Sequence, residues 1–426
     1  MVSKHCSRRF ITSLIFVLVS LIFAALLRRM ELMAAALPFF TAVVISMLTD
    51  RAPSVDFTHS ISRTTVFEND VVRIELEVIA KTRLPHLEVM EPLPQFGVLH
   101  SGANDIVSTF AAGERQLLRY ELRVNRRSRF TLGRISFRVY SDSGLFYWEG
   151  EWADPKICIC YPSMDMLSHP IRPFHTQVNV GNYPSRVASE GIEFASIRQY
   201  VSGDQLRTVN WRVSQRSGRM FVNEFTRERN ADIVLLIDSF SDSGSPGQTV
   251  LDGAVRVCAS LSNSFLQNNN RVGFIEFSGI MNWIMPDLGT RQWYRILERL
   301  TDVRERESDV AKDITMVPRQ ILPSQALIVA FTPLIDERFT VALLDLASRR
   351  YDIAAVVIDP ATTFEVNQSD GEKQAMALRI WSMETELSSQ ALGAANVPII
   401  AHELSDPVEL LAQKIDMLRR RRAASR

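Results

Sequence analysis

The chain has 426 residues, 46% of them apolar and 23% charged, with 48 Lys and Arg against 48 Asp and Glu. That length suits two or three domains with cores of their own, and the zero balance excludes a global field that would draw the chain to nucleic acid. Cys6, Cys158, Cys160 and Cys258 are too scattered for a disulfide framework. The alternation in KICICYP reads as packed thiols on one face of a strand rather than a zinc knuckle.

Residues 10–27 form an uninterrupted apolar run of about the 20 residues that a bilayer core requires. Arg28-Arg29-Met30-Glu31 breaks it, and residues 32–48 form a second run in which Pro38 is tolerable within a membrane helix. No small-residue cleavage site precedes the arginines, which argues against a signal peptide. The reading is a two-helix membrane hairpin within residues 1–51. Lys4, Arg8 and Arg9 before the first span lean towards a cytoplasmic N-terminus. Two spans return the chain to its starting side, and thiols without obvious pairing agree. The expectation is a multi-pass inner-membrane protein with its soluble domains in the cytoplasm.

From residue 52 to 162 the pattern changes to period two. VVRIELEVIA (Val71–Ala80), residues 117–124 and residues 135–141 alternate as half-buried antiparallel strands do, separated by Asn, Asp and Gly turn signals. This predicts a small β-sandwich of the immunoglobulin-like kind. Arg126, Arg127 and Arg129 lie between two strands and read either as a solvated hairpin turn or as a basic tip contacting lipid headgroups or a partner. No His, Cys and carboxylate cluster stands out here, so binding or spacing is expected rather than catalysis.

Residues 163–230 divide into a Pro- and Gly-containing linker and a dense polar block. The block reads Gly191-Ile192-Glu193-Phe194, Ile197-Arg198-Gln199-Tyr200, Gly203-Asp204, Leu206-Arg207, Val209-Asn210-Trp211, Ser214, Gly218-Arg219-Met220, Val222, Glu224 and Glu228. It closely resembles the signature of domain-of-unknown-function family 58. Upstream, Arg126-Arg127, Phe130, Leu132-Gly133, Asp142 and Gly144-Leu145-Phe146 resemble the same family. The resemblance implies two membrane spans, a sandwich-like region, the block, and a von Willebrand factor A-like domain. From the residues themselves, Asp204 after Gly203 caps a turn. Arg198, Arg207 and Arg212 are matched for bidentate pairs with Asp204, Glu224 or Glu228, and Trp211 is expected as a buried anchor among them. The candidate site is therefore a latch or a partner-docking face made by Arg198, Asp204, Arg207, Asn210, Trp211 and Glu224. No nucleophile–base pair with a His is present in it.

Residues 231–426 alternate strand and helix patterns, starting from the apolar run that stops at Asp238. This predicts an α/β fold, a doubly wound Rossmann-like sheet with ligands at the carboxyl ends of its strands. The resemblance makes it von Willebrand factor A-like and implies a Mg²⁺ held by an Asp-x-Ser-x-Ser loop, a Thr and a further Asp. Asp238 matches the first Asp, but Phe240 and Asp242 stand where the serines belong. Thr290 is the candidate threonine, and Pro333 replaces the third-loop Asp, with Asp336 three residues later. Asp238, Ser241, Asp242 and Thr290 remain as positions of a degenerate metal-ion-dependent adhesion site at which no metal is expected. No phosphate loop of the GxxxxGK[ST] type is present.

The function expected is that of a non-enzymatic, membrane-anchored interaction or adaptor protein. Relatives resembling the family accompany MoxR-type AAA+ ATPases, which implies such a partner in envelope assembly or protein maturation. The alternative is an extracytoplasmic ligand-binding or adhesion module. Arg419–Arg422 read as a second membrane contact or as a solvated C-terminus.

Overall fold

The period-two stretches pair as antiparallel strands, and the later alternation folds as a parallel sheet with helices. The computed structural model describes residues 2–168, 177–178, 193–226, 229–244, 247–279, 281–306, 314, 317–324, 326–358, 371–404 and 406–424. The chain divides into two units, Met1–Ser163 and Met164–Arg426.

Unit 1 opens with strand β1 (Val2–Cys6) and helices α1 (Arg8–Leu27) and α2 (Met30–Thr49). Strands β2 (Val55–Ile61), β3 (Thr65–Phe67), β4 (Val71–Ala80), β5 (Leu84–Met90) and β6 (Gly97–Gly102) follow. The unit ends with β7 (Asp105–Phe110), β8 (Arg115–Val124), β9 (Ser128–Tyr140) and β10 (Phe146–Tyr161). One sheet runs β1-β10-β9-β5-β7 with β3 beside β10, and the other runs β2-β4-β8-β6. Alternation puts Val72, Ile74, Leu76 and Val78 of β4 inside, each burial stabilising by about 1.5–3 kcal/mol. Phe57, Leu76 and Val78 of one sheet share a core with Leu87, Val89, Ile135 and Val139 of the other, which makes the pair a sandwich.

Helix α1 is long and apolar enough to cross a bilayer; the apolar stretch of α2, Met33–Thr49, is shorter. Among the described residues of the two helices only Val17, Ala24, Ala36, Val43 and Ser46 are buried, while Leu14, Leu18, Phe23, Leu37 and Leu48 face outward. Both open ends are tied to one turn of the sandwich. The Ser7 N–H donates to the Leu145 carbonyl (2.9 Å) and its hydroxyl to the Gly144 carbonyl (2.7 Å). Ser46 Oγ lies 2.7 Å from Ser143 Oγ. Phe10, Val43, Leu145 and Phe146 pack together at this junction. The helices are therefore antiparallel, turning through Arg28 at a left-handed φ of 48°. The Gly144-Leu145-Phe146 pattern is the seat of the hairpin. Neither the seat nor β1 was visible in local periodicity.

Unit 2 begins with β11 (Gln177–Val178), β12 (Glu193–Gln199), α3 (Trp211–Ser217), β13 (Phe221–Thr226) and β14 (Arg229–Asn230). Most of the expected linker lies outside the described residues. Then come β15 (Asp232–Asp238), α4 (Val250–Gln267), β16 (Arg271–Phe277), β17 (Asn282–Asp287) and α5 (Gly289–Asp302). The unit closes with β18 (Leu327–Thr332), α6 (Glu337–Ser348), β19 (Asp352–Ile358), α7 (Gly371–Ala394), β20 (Ile399–His402) and α8 (Val408–Ala424). Arg419–Arg422 continue α8 rather than trailing from it.

The large sheet has the order β17-β16-β15-β18-β19-β20, all parallel except β17. Val234, Leu236, Ile328 and Ala355 pack against Phe339, Leu343 and Leu346 of α6 and Leu392 of α7. Ile233, Leu235 and Ile237, on the alternate side of β15, are equally buried, and α4 packs on the same sheet. Helices thus cover both faces, as a parallel sheet requires. Gly253 lets α4 approach closely: a Cβ there would stand 1.8 Å from Leu404 Cδ2. The order reverses beside β15, so Asp238 ends its strand where neighbouring crossovers diverge.

Candidate functional site

Among the described residues, three places concentrate polar chemistry. The first is the crevice at the end of β15. Asp238 is 2% exposed, and both its carboxyl oxygens are engaged: Oδ1 accepts from the Phe240 N–H (3.1 Å) and Oδ2 from the Thr332 hydroxyl (2.7 Å). Thr332 is held in turn by the Leu334 N–H (2.9 Å). Burial pushes the Asp238 carboxyl up to about 7, and the charge of Asp336 adds to it; the two hydrogen bonds and Arg338 pull the other way. Asp336 caps α6 and grips Arg338 (Nη2–Oδ2 2.6 Å). Burial opposes the charge of Asp336, but the hydrogen bonds from Arg338 prevail and hold its carboxyl below the ordinary range. The Arg338 guanidinium also lies 4.1 Å from the centre of the Phe240 ring, which is itself buried against Phe277.

Asp242 accepts from the N–H groups of Ser243 and Leu251 (both 3.0 Å) and so serves the start of α4, where Thr249 is the N-cap. Burial, with Asp252 nearby, raises its carboxyl. The hydroxyls of Ser239, Ser241 and Ser243 are buried without a hydrogen-bond partner among the described residues.

Thr290 does not join this group. Strand β17 runs antiparallel to β16, so Asp287 pairs with Val272 at the start of β16, while Asp238 pairs with Phe277 at its end. Thr290 follows Asp287 and stands at the opposite edge of the sheet, about five residues or ~17 Å along the strand direction. The hydroxyl that reaches Asp238 belongs to Thr332, the last residue of β18. A divalent cation does not fit this donor set. Each Asp238 oxygen already accepts a hydrogen bond, the Phe240 ring two residues on supplies no oxygen, and the Arg338 guanidinium already supplies positive charge. Among the described residues no group of three or more His, Cys, Asp and Glu is arranged to hold a metal.

The second place is the signature block, which folds as a small module. Strands β12 and β13 pair antiparallel and are joined through a 3₁₀ turn (Leu206–Thr208) and α3. Arg198 grips Asp204 with two bonds of 2.7 Å, and the Val201 N–H adds a third (2.8 Å). The bonds from Arg198 and then Val201 lower the Asp204 carboxyl to about 2. Asn210 caps α3 by accepting from the Val213 N–H (3.1 Å), and its amide donates to Asn223 (2.8 Å). Ser214 accepts from the Phe221 N–H (2.9 Å), and Gly218 ends the helix at a φ of 66°. Arg207 donates to Gln205 (2.6 Å). Glu224 lies on β13 opposite Ser196; Arg227 and Glu228 lie outside the described residues.

Trp211 is not the buried anchor that the sequence suggested. It is 63% exposed, as are Val201 (62%) and Leu206 (64%). The framework is polar and the apolar groups are outside, because a module this small has no interior deep enough for an indole. Arg207, Arg212, Arg216 and Arg219 are exposed as well.

The third place is inside the sandwich and escaped sequence reading. His59 Nε2 and Glu91 Oε2 lie 3.2 Å apart with side chains 0% and 1% exposed. Glu91 Oε1 accepts from the Gly133 N–H (2.6 Å). Burial works against the Glu91 charge, but the bonds from His59 and Gly133 win and lower its carboxyl. Burial, and then Glu91 beside it, raises the Tyr120 phenol well above its ordinary range. Gly133 has a φ of 89°, and a Cβ there would lie 2.2 Å from the Asp154 carbonyl oxygen. This explains the Leu132-Gly133 pattern structurally. Arg127 is likewise buried rather than at a basic tip, with its N–H on Glu68 Oε1 (2.9 Å).

A family described as "Protein of unknown function DUF58" matches residues 196–366, from the module into the large sheet. A curated relative, the uncharacterized protein YeaD of Bacillus subtilis (strain 168), is 23% identical over 211 residues, covering 49% of this chain and 50% of the relative. The chain thus spans about half the length of that relative. Among solved structures, the cupredoxin domain of amoB from Nitrosocaldus yellowstonii shares 10% identity, with 26% of this chain and 90% of that one covered, at a TM-score of 0.20. The CARDB domain of the PF1109 protein from Pyrococcus furiosus shares 12%, covering 24% and 94%, at 0.16. At such scores neither likeness carries an argument.

Proposed function

We propose that the chain is a membrane-anchored, non-enzymatic interaction protein whose docking surface is the module that carries Trp211. The exposure of Trp211 supports this reading most directly. Large apolar side chains left in water on a small, polar-braced module are the mark of a surface covered by something else, and Trp and Arg are the residues on which such contacts concentrate. In this reading the six-stranded sheet is a von Willebrand factor A-like scaffold whose metal site is degenerate. The α1–α2 hairpin crosses the inner membrane twice, with Lys4, Arg8, Arg9 and Arg51 on the cytoplasmic side with the soluble units. The family resemblance supplies the partner class, a MoxR-type AAA+ ATPase.

Co-purification from membranes tests the proposal. The tagged wild-type chain should retain an AAA+ ATPase, and a Trp211→Ala, Leu206→Ala variant should lose it at unchanged membrane content. Enrichment of no ATPase by either protein would sink the adaptor reading. A reporter fused at Arg426 that is active only outside the cytoplasm would favour an extracytoplasmic ligand-binding module instead.

A further inference from the structure

A cavity of about 800 Å³ lies in unit 1 at the base of the helical hairpin, lined in part by Arg8, Arg9, His86, Arg138, Tyr140 and Tyr147. Its position follows from α1: the helix starts at Arg8 and then runs 20 residues, about the 30 Å thickness of a hydrocarbon core. The cavity therefore sits at the level where headgroups meet water, and tyrosines favour that level.

Its walls are preorganised. Tyr147 stacks on His5 (5.4 Å between centroids) and lies 5.6 Å from Tyr140, which meets His86 edge-on at 5.1 Å. Arg138 lies 5.1 Å from the Tyr147 ring, but its charge is matched by Glu149 and Glu88. Arg8 and Arg9 are different: both are exposed, and neither has an ion-pair partner among the described residues. Among the described lining residues the carboxylate is Asp142, which faces Arg83 at 4.0 Å. The surplus in the cavity is positive.

A second cavity of about 710 Å³ on the same sheet supplies the contrast. It shares Arg138 but is lined by Glu88, Asp105, Glu149 and Glu151. An anion is repelled there and attracted at the hairpin base. We infer that the hairpin-base cavity binds the phosphate of an anionic phospholipid headgroup, with Arg8 and Arg9 as its counter-charges and the tyrosine wall against the glycerol region. This rests on the membrane-anchored reading above. The site adds lipid selectivity to an anchor that apolar helices alone leave indifferent to headgroup charge.

Native mass spectrometry of the full chain in a neutral detergent tests it, with phosphatidylglycerol, phosphatidylcholine or inorganic phosphate added separately. Phosphatidylglycerol should be retained in preference to phosphatidylcholine. An Arg8→Gln, Arg9→Gln variant should bind it on the order of tenfold more weakly, two surface charges being lost. Arg8→Lys, Arg9→Lys should keep most of the binding, which separates charge from misfolding. Equal retention of both lipids, an unchanged Gln variant, or full displacement of the lipid by equimolar inorganic phosphate would each overturn the inference. Carbonate extraction of cell membranes keeps the two readings apart. A chain released by carbonate defeats the anchor, whereas a retained chain without lipid preference defeats only the site.

Discussion

The crevice at Asp238 and the module at Trp211 belong to the same unit and dispose of their side chains in opposite ways. The crevice keeps carboxylates, hydroxyls and a phenylalanine ring inside, under a guanidinium held by Asp336. The module fastens its own polar groups to one another and leaves Trp211, Leu206 and Val201 in water. A strand end that commits its carboxylate internally has little left for a ligand. A surface that displays an indole has binding capacity unspent. In the proposed reading, the difference puts the docking surface away from the place where an open α/β sheet ordinarily presents a ligand site.

The largest effect should come from breaking the crevice. Phe240→Ala removes a buried ring from its contacts with Phe277 and Arg338, and urea unfolding should show a loss of about 3–5 kcal/mol. The pH dependence comes next. Because the Asp238 carboxyl is pushed up to about 7, the folded state holds a proton that the unfolded chain releases near 4. Stability from this group is thus full below about 4 and falls by about 1.4 kcal/mol per pH unit until about 7, where it levels off. Asp238→Asn should flatten that decline in melts taken between those values. A wild-type stability that rises across the window would show that the crevice is not sealed.

Smaller effects belong to the module. Asn210→Ala removes the cap of α3 and its bond to Asn223, and hydrogen exchange in α3 should report a loss of about 1 kcal/mol. Trp211→Ala should change stability by less than about 0.5 kcal/mol, since the side chain is mostly in water. The smallest effect expected is that of Mg²⁺: calorimetric titration of the purified chain should show no micromolar binding.

Much of this contrast was legible in the residues. The run ending at Asp238, the alternation of β4 and β8 and an arginine partner for Asp204 follow from local pattern and side-chain chemistry. The departures arise where distant pairings decide. Thr290 lies in the first turn of α5 rather than before it, and the antiparallel turn of β17 carries it to the opposite edge of the sheet. His59 and Glu91 are far apart in sequence and meet only because two sheets close on each other. Arg127 reads in sequence as part of a solvated turn or a basic tip, but it is buried and its backbone N–H donates to Glu68. In sequence Trp211 is expected as a buried anchor, and the thinness of the module explains why it is outside.

The most direct test places a photo-crosslinking amino acid at position 211 in the full chain in living cells, with a second at exposed Tyr294 in unit 2 as the comparison. The account predicts a discrete crosslink to an AAA+ ATPase from position 211 and none from 294. No protein crosslink at 211, or the same products from both positions, would contradict it.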